Sequence, residues 1–257
     1  MQIGLLLSAL GPAILAVAFI TEAGWAADLW PFETSRLTNL FIGSILAAIT
    51  IPTVWVAATR EWGALGASAM FPGLTLGAMA VYLAARDLGD DSGLLGHAVV
   101  LAVGSAYAFV LLYLGRKVTL GDTRPVPMVV RASFAAFAAV LILAGLLLVF
   151  GADNILPWSV DAETGVMVGF VFLGAASSYV YGALRPVWGY VTAPLLGFLA
   201  YDVILVWPLV DHFSDVLAEQ RTSLVIYVAV VGYSGLLAAY FLLVAPQTRL
   251  FGRSPGA

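Results

Sequence analysis

The sequence contains no cysteine and very little charge. Without cysteine it has no disulfide framework, no thiolate nucleophile and no cysteine metal site. Charged residues make up 10% of the chain, whereas a soluble domain carries about 25%. Lysine occurs once, as Lys117, so amine chemistry is restricted to that position. No basic patch indicates a nucleic-acid partner.

Hydrophobic residues make up 62% of the chain, and the mean hydropathy is +1.01. This composition leaves too little polar surface for a soluble fold, so the protein is predicted to have the lipid bilayer as its partner. A backbone that crosses lipid must satisfy its own polar groups, and the runs lack the alternation of barrel strands, so each run is predicted to be a helix. The sequence therefore predicts an all-α polytopic membrane bundle of eight transmembrane helices. The predicted spans are 3–21, 38–58, 64–85, 93–114, 126–150, 165–184, 189–210 and 222–245.

We treat residues 1–257 as a single integral membrane domain. The first span could instead be a signal peptide, but the start Met1-Gln2-Ile3-Gly4 lacks the basic residue that such a segment needs.

The distribution of basic residues predicts the orientation. With the N-terminus in the cytoplasm, three bases fall outside and the other eight fall inside, which satisfies the positive-inside rule. This predicts a multi-pass protein of the cell membrane with both termini in the cytoplasm. The inner bases are Arg60, Arg116, Lys117, Arg124, Arg131, Arg185, Arg249 and Arg253.

The chain resembles itself at an offset of 126 residues, which indicates a tandem repeat of four helices plus four. The two units cover about residues 1–121 and 127–252. Four helices is an even number, so the second unit enters the membrane in the same direction, and the repeats should be parallel. The alternative is that a duplication only enlarged the bundle. The matches include Pro31 with Pro157, Thr38 with Thr164, Gly43 with Gly169, Trp62-Gly63 with Trp188-Gly189 and, after a four-residue gap, Pro72 with Pro194.

Asp202 is the one acid that the sequence places inside a span. A charge at that depth costs about 2.5–3.5 kcal/mol on insertion scales, so such a residue is a functional hypothesis by default. It could carry a proton, bind a cation or hold a ligand. The alternative is a neutral acid bonded to a nearby hydroxyl. We therefore predict a ligand or proton site of Asp202 with Tyr201, Thr192 and Ser234.

Two histidines lie near the outer ends of their spans and form a second candidate group. His97 and His212, with Asp211 beside the latter, could share a haem, metal or quinone site at the outer rim. The alternative is that they are ordinary polar groups at the interface. The sequence does not decide whether a metal is present.

Three segments of the chain carry a resemblance to a known family. They are Pro72 with 82–89 (YLAARDLG) in the third span, 198–201 (FLAY) in the seventh and 227–241 in the eighth. With these segments, spans two to eight resemble the microbial rhodopsins, and the third, seventh and eighth spans match the second, sixth and seventh rhodopsin helices. The first span would be extra, and the fourth lacks the pattern expected of the third rhodopsin helix.

The resemblance implies the helical bundle without the photochemistry. Gly235 stands where that family has its retinal-binding lysine, and Val231 where it has an aspartate partner. Lys117 lies in a predicted loop, so we expect no covalent retinal, and the cofactor is left unknown.

Three functional classes follow. The first is a ligand-handling bundle with an opsin-like arrangement, for transport of a small molecule or ion or for receptor-like sensing. The second is a quinone-interacting membrane subunit whose partners are other membrane or respiratory subunits. The third is a purely structural membrane partner. Enzymatic activity is left open, and the sequence favours a protein that is not an enzyme.

The predicted topology is testable by single-cysteine labelling. Cysteines within 22–37, 86–92, 151–164 and 211–221 should react with an impermeant maleimide added outside. A cysteine at position 120 should react only after the membrane is permeabilised. Labelling of position 120 from outside would contradict the topology.

Overall fold

The computed structural model describes residues 2–250, and within them eight helices are long and apolar enough to cross a membrane. The predicted all-α polytopic bundle is therefore confirmed. The helices are α1 Gln2–Ile20, α2 Arg36–Thr59, α3 Met70–Asp90, α4 Leu95–Gly115, α5 Met128–Val149, α6 Ala162–Leu184, α7 Trp188–Asp211 and α8 Arg221–Ala239.

The ends of several helices differ from the predicted spans. Two short helices, Trp62–Ala64 and Leu65–Ser68, precede α3. At its other end α3 continues to Asp90. The loop that was predicted to begin at residue 86 therefore begins only after residue 90, so its predicted start was wrong. Arg86 explains the extension, because it lies 3.5 Å from Asp90 one turn later and 3.4 Å from Glu163 of α6. After α8 the chain makes a π-helical turn, Tyr240–Val244.

The helices pack as two layers of four. In one layer α1 packs on α2, α2 on α7 and α7 on α8. In the other α5 packs on α6, α6 on α3 and α3 on α4. Exchanging each helix with the one four places later converts one set of neighbours into the other. A parallel repeat would produce this arrangement.

Equivalent positions also make equivalent contacts at the starts of α2 and α6. Ser35 caps α2 by accepting from the Thr38 N–H at 3.2 Å, and Asp161 caps α6 by accepting from the Thr164 N–H at 2.7 Å. Trp158 donates to the Thr38 hydroxyl at 3.1 Å, so the second half binds the first. In return Trp30 donates to the Thr164 hydroxyl at 3.4 Å, although the residue that the repeat aligns with Trp158 is Phe32.

Two pairs of glycines that the predicted repeat aligns mark close approaches. A methyl group added at Gly43 would lie 3.0 Å from the Ala16 carbonyl of α1, and one at Gly169 would lie 2.8 Å from the Gly145 carbonyl of α5. At the end of the bundle where α1 begins, methyl groups added at Gly63 and Gly189 would both lie within 3 Å of Leu120. One linker residue therefore contacts both halves.

Three apolar clusters close the bundle. We call the end where α1 begins the inner end, which is predicted to be cytoplasmic, and the opposite end the outer end. One cluster spans both layers at the outer end and includes Phe41 and Trp158. Two smaller clusters, around Phe134 and around Val56, fill the inner end. The space between the layers is thus covered at both ends.

The contact pattern supports the repeat without testing it, so the repeat stays a prediction. Gly169→Ala should destabilise the protein by about 1–3 kcal/mol, because the methyl group overpacks α5. Gly43→Ala should have a similar effect if the halves are equivalent. Thermal unfolding in detergent measures both.

The matched control is Gly165→Ala on the same helix, where the nearest atom to an added methyl group is a Val160 side-chain carbon at 3.8 Å. Equal stability of the Gly169→Ala and Gly165→Ala variants would contradict the close approach of α5 and α6.

Candidate functional site

Asp202 lies in the middle of α7 and is 5% exposed. It therefore does not face lipid. The helix is continuous from Trp188 to Asp211 although it contains Pro194 and Pro208. The helical backbone is therefore unbroken beside Asp202.

Ser234 of α8 is the hydrogen-bond partner of Asp202. Its hydroxyl lies 3.2 and 3.0 Å from the two carboxyl oxygens and 2.9 Å from the Val230 carbonyl. A hydroxyl has one hydrogen and can donate to one of these acceptors at a time. A charged Asp202 would accept that hydrogen, whereas a neutral one would donate to Ser234 while Ser234 donates to Val230. The pair accommodates both forms.

Gly235 makes the room that the carboxyl occupies. A methyl group added at Gly235 would lie 3.1 Å from Oδ2 of Asp202 and 3.3 Å from its Cβ. The position that the rhodopsin resemblance aligned with a lysine is therefore filled, in this chain, by the side chain of the neighbouring helix.

Tyr201 and Tyr227 form a second pair across the same two helices. Their hydroxyls are hydrogen bonded to each other. Tyr201 packs edge-on against Phe41 at 6.1 Å, and Tyr227 against Trp158 at 5.9 Å, so the pair sits below the outer cluster. Their mutual bond uses one of two phenolic hydrogens, and neither hydroxyl makes another hydrogen bond within residues 2–250.

Tyr179 of α6 completes the group, and the sequence analysis missed it. Its ring stacks on Phe198 of α7 at 4.8 Å with an angle of 11°. Tyr179, Tyr201 and Tyr227 all interact electrostatically with the carboxyl group of Asp202. A tyrosine in an apolar span needs a partner for its hydroxyl, so the tyrosines of neighbouring spans were the available signal for this cluster.

A cavity of about 650 Å³ lies between the two layers. All eight helices contribute to its lining, which is mostly apolar. Its volume falls in the range of about 300–1,000 Å³ that is usual for small-molecule sites. Six polar side chains of the lining have backbone carbonyls as acceptors, namely Ser8, Thr53, Ser68, Ser178, Ser223 and Ser234. Tyr179, Tyr201 and Tyr227 line the cavity too.

Asp202 itself does not line the cavity, whereas Ser234 does. The carboxyl therefore lies behind the wall, and a ligand would meet hydroxyl groups. Asp202 thus contacts Ser234 rather than the cavity, and its role in a ligand or proton site stays a prediction.

Thr192 lies apart from this group. Its hydroxyl donates to the Trp188 carbonyl of its own helix at 2.9 Å. It is ten residues from Asp202, or about 15 Å along the helix. The structure thus brings together three of the four predicted residues, Asp202, Tyr201 and Ser234.

The structure gives the two histidines separate surroundings. His212 follows α7 and uses both ring nitrogens, Nε2 on the Pro157 carbonyl at 3.0 Å and Nδ1 on Asp215 at 2.7 Å. His97 lies at the start of α4, which makes no extensive contact with α7. Asp211 is exposed at the end of α7. Within residues 2–250 no group of three or more His, Cys, Asp or Glu residues is arranged to hold a metal ion.

Lys117 follows α4 at the inner end, outside the spans, with its ammonium group 4.1 Å from the centre of the Tyr113 ring. It does not line the cavity between the layers. The expectation of no covalent retinal stays a prediction.

The contact between Asp202 and Gly235 can be measured by a double-mutant cycle. Gly235→Ala should destabilise the protein by about 1–3 kcal/mol, because the methyl group meets the carboxyl. In an Asp202→Ala background the carboxyl is absent and only the Cβ contact at 3.3 Å remains. Most of the cost should therefore disappear, giving a coupling of about 0.5–3 kcal/mol.

Gly232→Ala on the same helix is the control, since nothing lies within 4 Å of a methyl group added there. If Gly235→Ala cost the same in both backgrounds, the two side chains would not share this space.

Comparison with known proteins leaves the function to be argued from this geometry. No family model matches the chain, and neither does any curated protein or solved structure.

Proposed function

We propose that this multi-pass membrane protein handles a small ligand, which it binds without a covalent bond in the cavity between its two layers. The observation that carries the proposal is the cavity itself, about 650 Å³ in volume and lined by all eight helices. Well-packed interiors have few voids larger than a water molecule. A space of this size between two packed layers therefore favours a binding function over a purely structural one.

The chemistry of the lining favours a neutral, largely apolar ligand. The hydroxyls of Tyr201 and Tyr227 have one hydrogen to offer between them, and Tyr179 offers another. The carboxyl of Asp202 stands behind Ser234 and reaches the ligand only through that hydroxyl. A cation would be expected to bind a carboxylate directly, so the arrangement argues against an ion as the main ligand.

The position of the cavity suits a carrier or a receptor. If the repeat is real, the cavity lies between the halves, where transporters built from repeats usually bind their substrates. The resemblance to microbial rhodopsins also implies a bundle that holds a ligand. Because Gly235 takes the place of the lysine, we propose that this ligand is held by contacts alone.

A quinone-interacting subunit is the second candidate. A quinone is apolar and offers carbonyl oxygens to phenolic donors, which the pair of Tyr201 and Tyr227 would supply. This reading needs no shared site of His97 and His212. A stable complex with subunits that carry iron–sulfur clusters or haem, seen on mild purification from native membranes, would favour it over a carrier or receptor.

Filling the cavity tests the proposed function. Ala175 lines the cavity on α6, so Ala175→Phe should occupy the ligand volume. Cavity-filling changes commonly stabilise proteins by about 0.5–2 kcal/mol, and the variant should unfold at the same temperature as the parent or higher. Mass spectrometry of organic extracts should show a molecule that accompanies the parent protein and is lost from the variant.

Ala139→Phe is the control, because Ala139 is exposed on the lipid-facing side of α5 and does not line the cavity. It should retain the same molecule. Identical extracts from the parent, the Ala175→Phe variant and the Ala139→Phe variant would contradict ligand binding in the cavity.

A further inference from the structure

The cavity reaches the lipid-facing surface between α5 and α8, which lie at one edge of the two layers. These helices make no extensive packing contact with each other. Several residues of both helices line the cavity and are also exposed on the outside of the bundle. They are Val140 at 48%, Leu143 at 61% and Leu147 at 38% on α5, and Ile226 at 56% on α8. We call this opening the α5–α8 window.

The window has a defined frame. On the inner side Ser133 of α5 and Tyr233 of α8 are hydrogen bonded at 2.7 Å, and Phe137 packs on the Tyr233 ring at 5.8 Å. On the outer side Ser223 of α8 donates to the Asn154 carbonyl. From Val140 to Leu147 the opening covers about 10 Å of membrane depth. The frame thus leaves an apolar gap that faces lipid acyl chains.

Access from water is closed at both ends of the bundle. The outer cluster covers the cavity around Phe41 and Trp158, and the inner clusters cover it around Phe134 and Val56. A molecule dissolved in the bilayer meets no such barrier at the window. Tyr227 lies on α8, so the phenolic pair is the polar group beside this opening.

We propose that the ligand is a neutral membrane-dissolved molecule with an apolar tail and one hydrogen-bond acceptor, such as a carbonyl oxygen, and that it enters through the α5–α8 window. This inference rests on the proposed function. The acceptor takes the phenolic hydrogen that the bond between Tyr201 and Tyr227 leaves unused. The tail lies in the apolar space between the layers.

A benzophenone that carries a ten-carbon alkyl chain is a suitable probe, since it combines the tail, the carbonyl and photochemical crosslinking. The protein is reconstituted into phosphatidylcholine vesicles, incubated with the probe for a set time, irradiated and mapped by peptide mass spectrometry. Crosslinks should appear on residues of the cavity, and Ala175→Phe should abolish them.

The head-group assignment is tested by a double variant, Tyr201→Phe with Tyr227→Phe. It keeps the rings and removes both hydroxyls, so crosslinking in the cavity at limiting probe should fall about tenfold. Tyr240→Phe is the control, because Tyr240 is 52% exposed and does not line the cavity. Equal crosslinking of the two variants would overturn the assignment.

The route is tested with a reversible block, for which the absence of native cysteine is an advantage. Ala144 lines the cavity beside the window, and Ala144→Cys is modified after reconstitution with benzyl methanethiosulfonate, so folding precedes the block. Cavity crosslinks after a short incubation should fall at least about fivefold and recover when a reductant removes the benzyl group, as expected for a slowed association step. Ala139→Cys, treated alike, should show no change.

The outcomes separate the two claims. If the blocked Ala144→Cys protein is crosslinked in the cavity as fast as the blocked Ala139→Cys protein, the window is not the route, while binding in the cavity stands. If the parent protein is crosslinked only on lipid-facing residues, and Ala175→Phe changes nothing, both the route and the proposed function are wrong.

Discussion

The absence of water in the bilayer is the constraint on which the rest of this structure depends. Every buried polar group must find a partner inside the protein, because an unpaired one costs several kcal/mol. The backbone meets this requirement as helices. Many buried hydroxyls meet it by donating to backbone carbonyls, as those of Ser44, Ser178 and Thr192 do. Two side-chain pairs, Ser234 with Asp202 and Tyr201 with Tyr227, join α7 and α8.

The two-layer arrangement explains why a cavity exists at all. Each layer is held by close contacts between neighbours, and glycines such as Gly43 and Gly169 allow close approaches within a layer. Between the layers, apolar clusters pack at the outer end and at the inner end of the bundle, and the middle remains open. Close packing within layers and looser packing between them leave a space bounded by helices that cannot easily collapse into it. The α5–α8 window follows from the same geometry, since edge helices of facing layers have the fewest neighbours.

The position of Asp202 behind Ser234 has a consequence for its role. Under the proposed function a ligand would meet this carboxyl only through a hydroxyl, so we propose that Asp202 positions the hydroxyl of Ser234. Gly235 leaves room for the carboxyl against α8. Because the polar groups that face the cavity there are hydroxyls, we favour an apolar acceptor-bearing molecule over a cation.

The sequence by itself determined the class of fold, because long apolar runs in a chain with 10% charge can only be membrane helices. It also singled out Asp202, since an acid inside a span is recognisable from its neighbours in the chain. Tertiary structure decided what the sequence could not express. The packing of distant helices decides three features. Tyr227 bonds Tyr201, Tyr179 lies beside them while Thr192 does not, and a cavity opens between α5 and α8. Apolar side chains that face lipid and those that face a cavity look alike in sequence, because both surroundings are hydrocarbon-like, and only the packing of the layers distinguishes them.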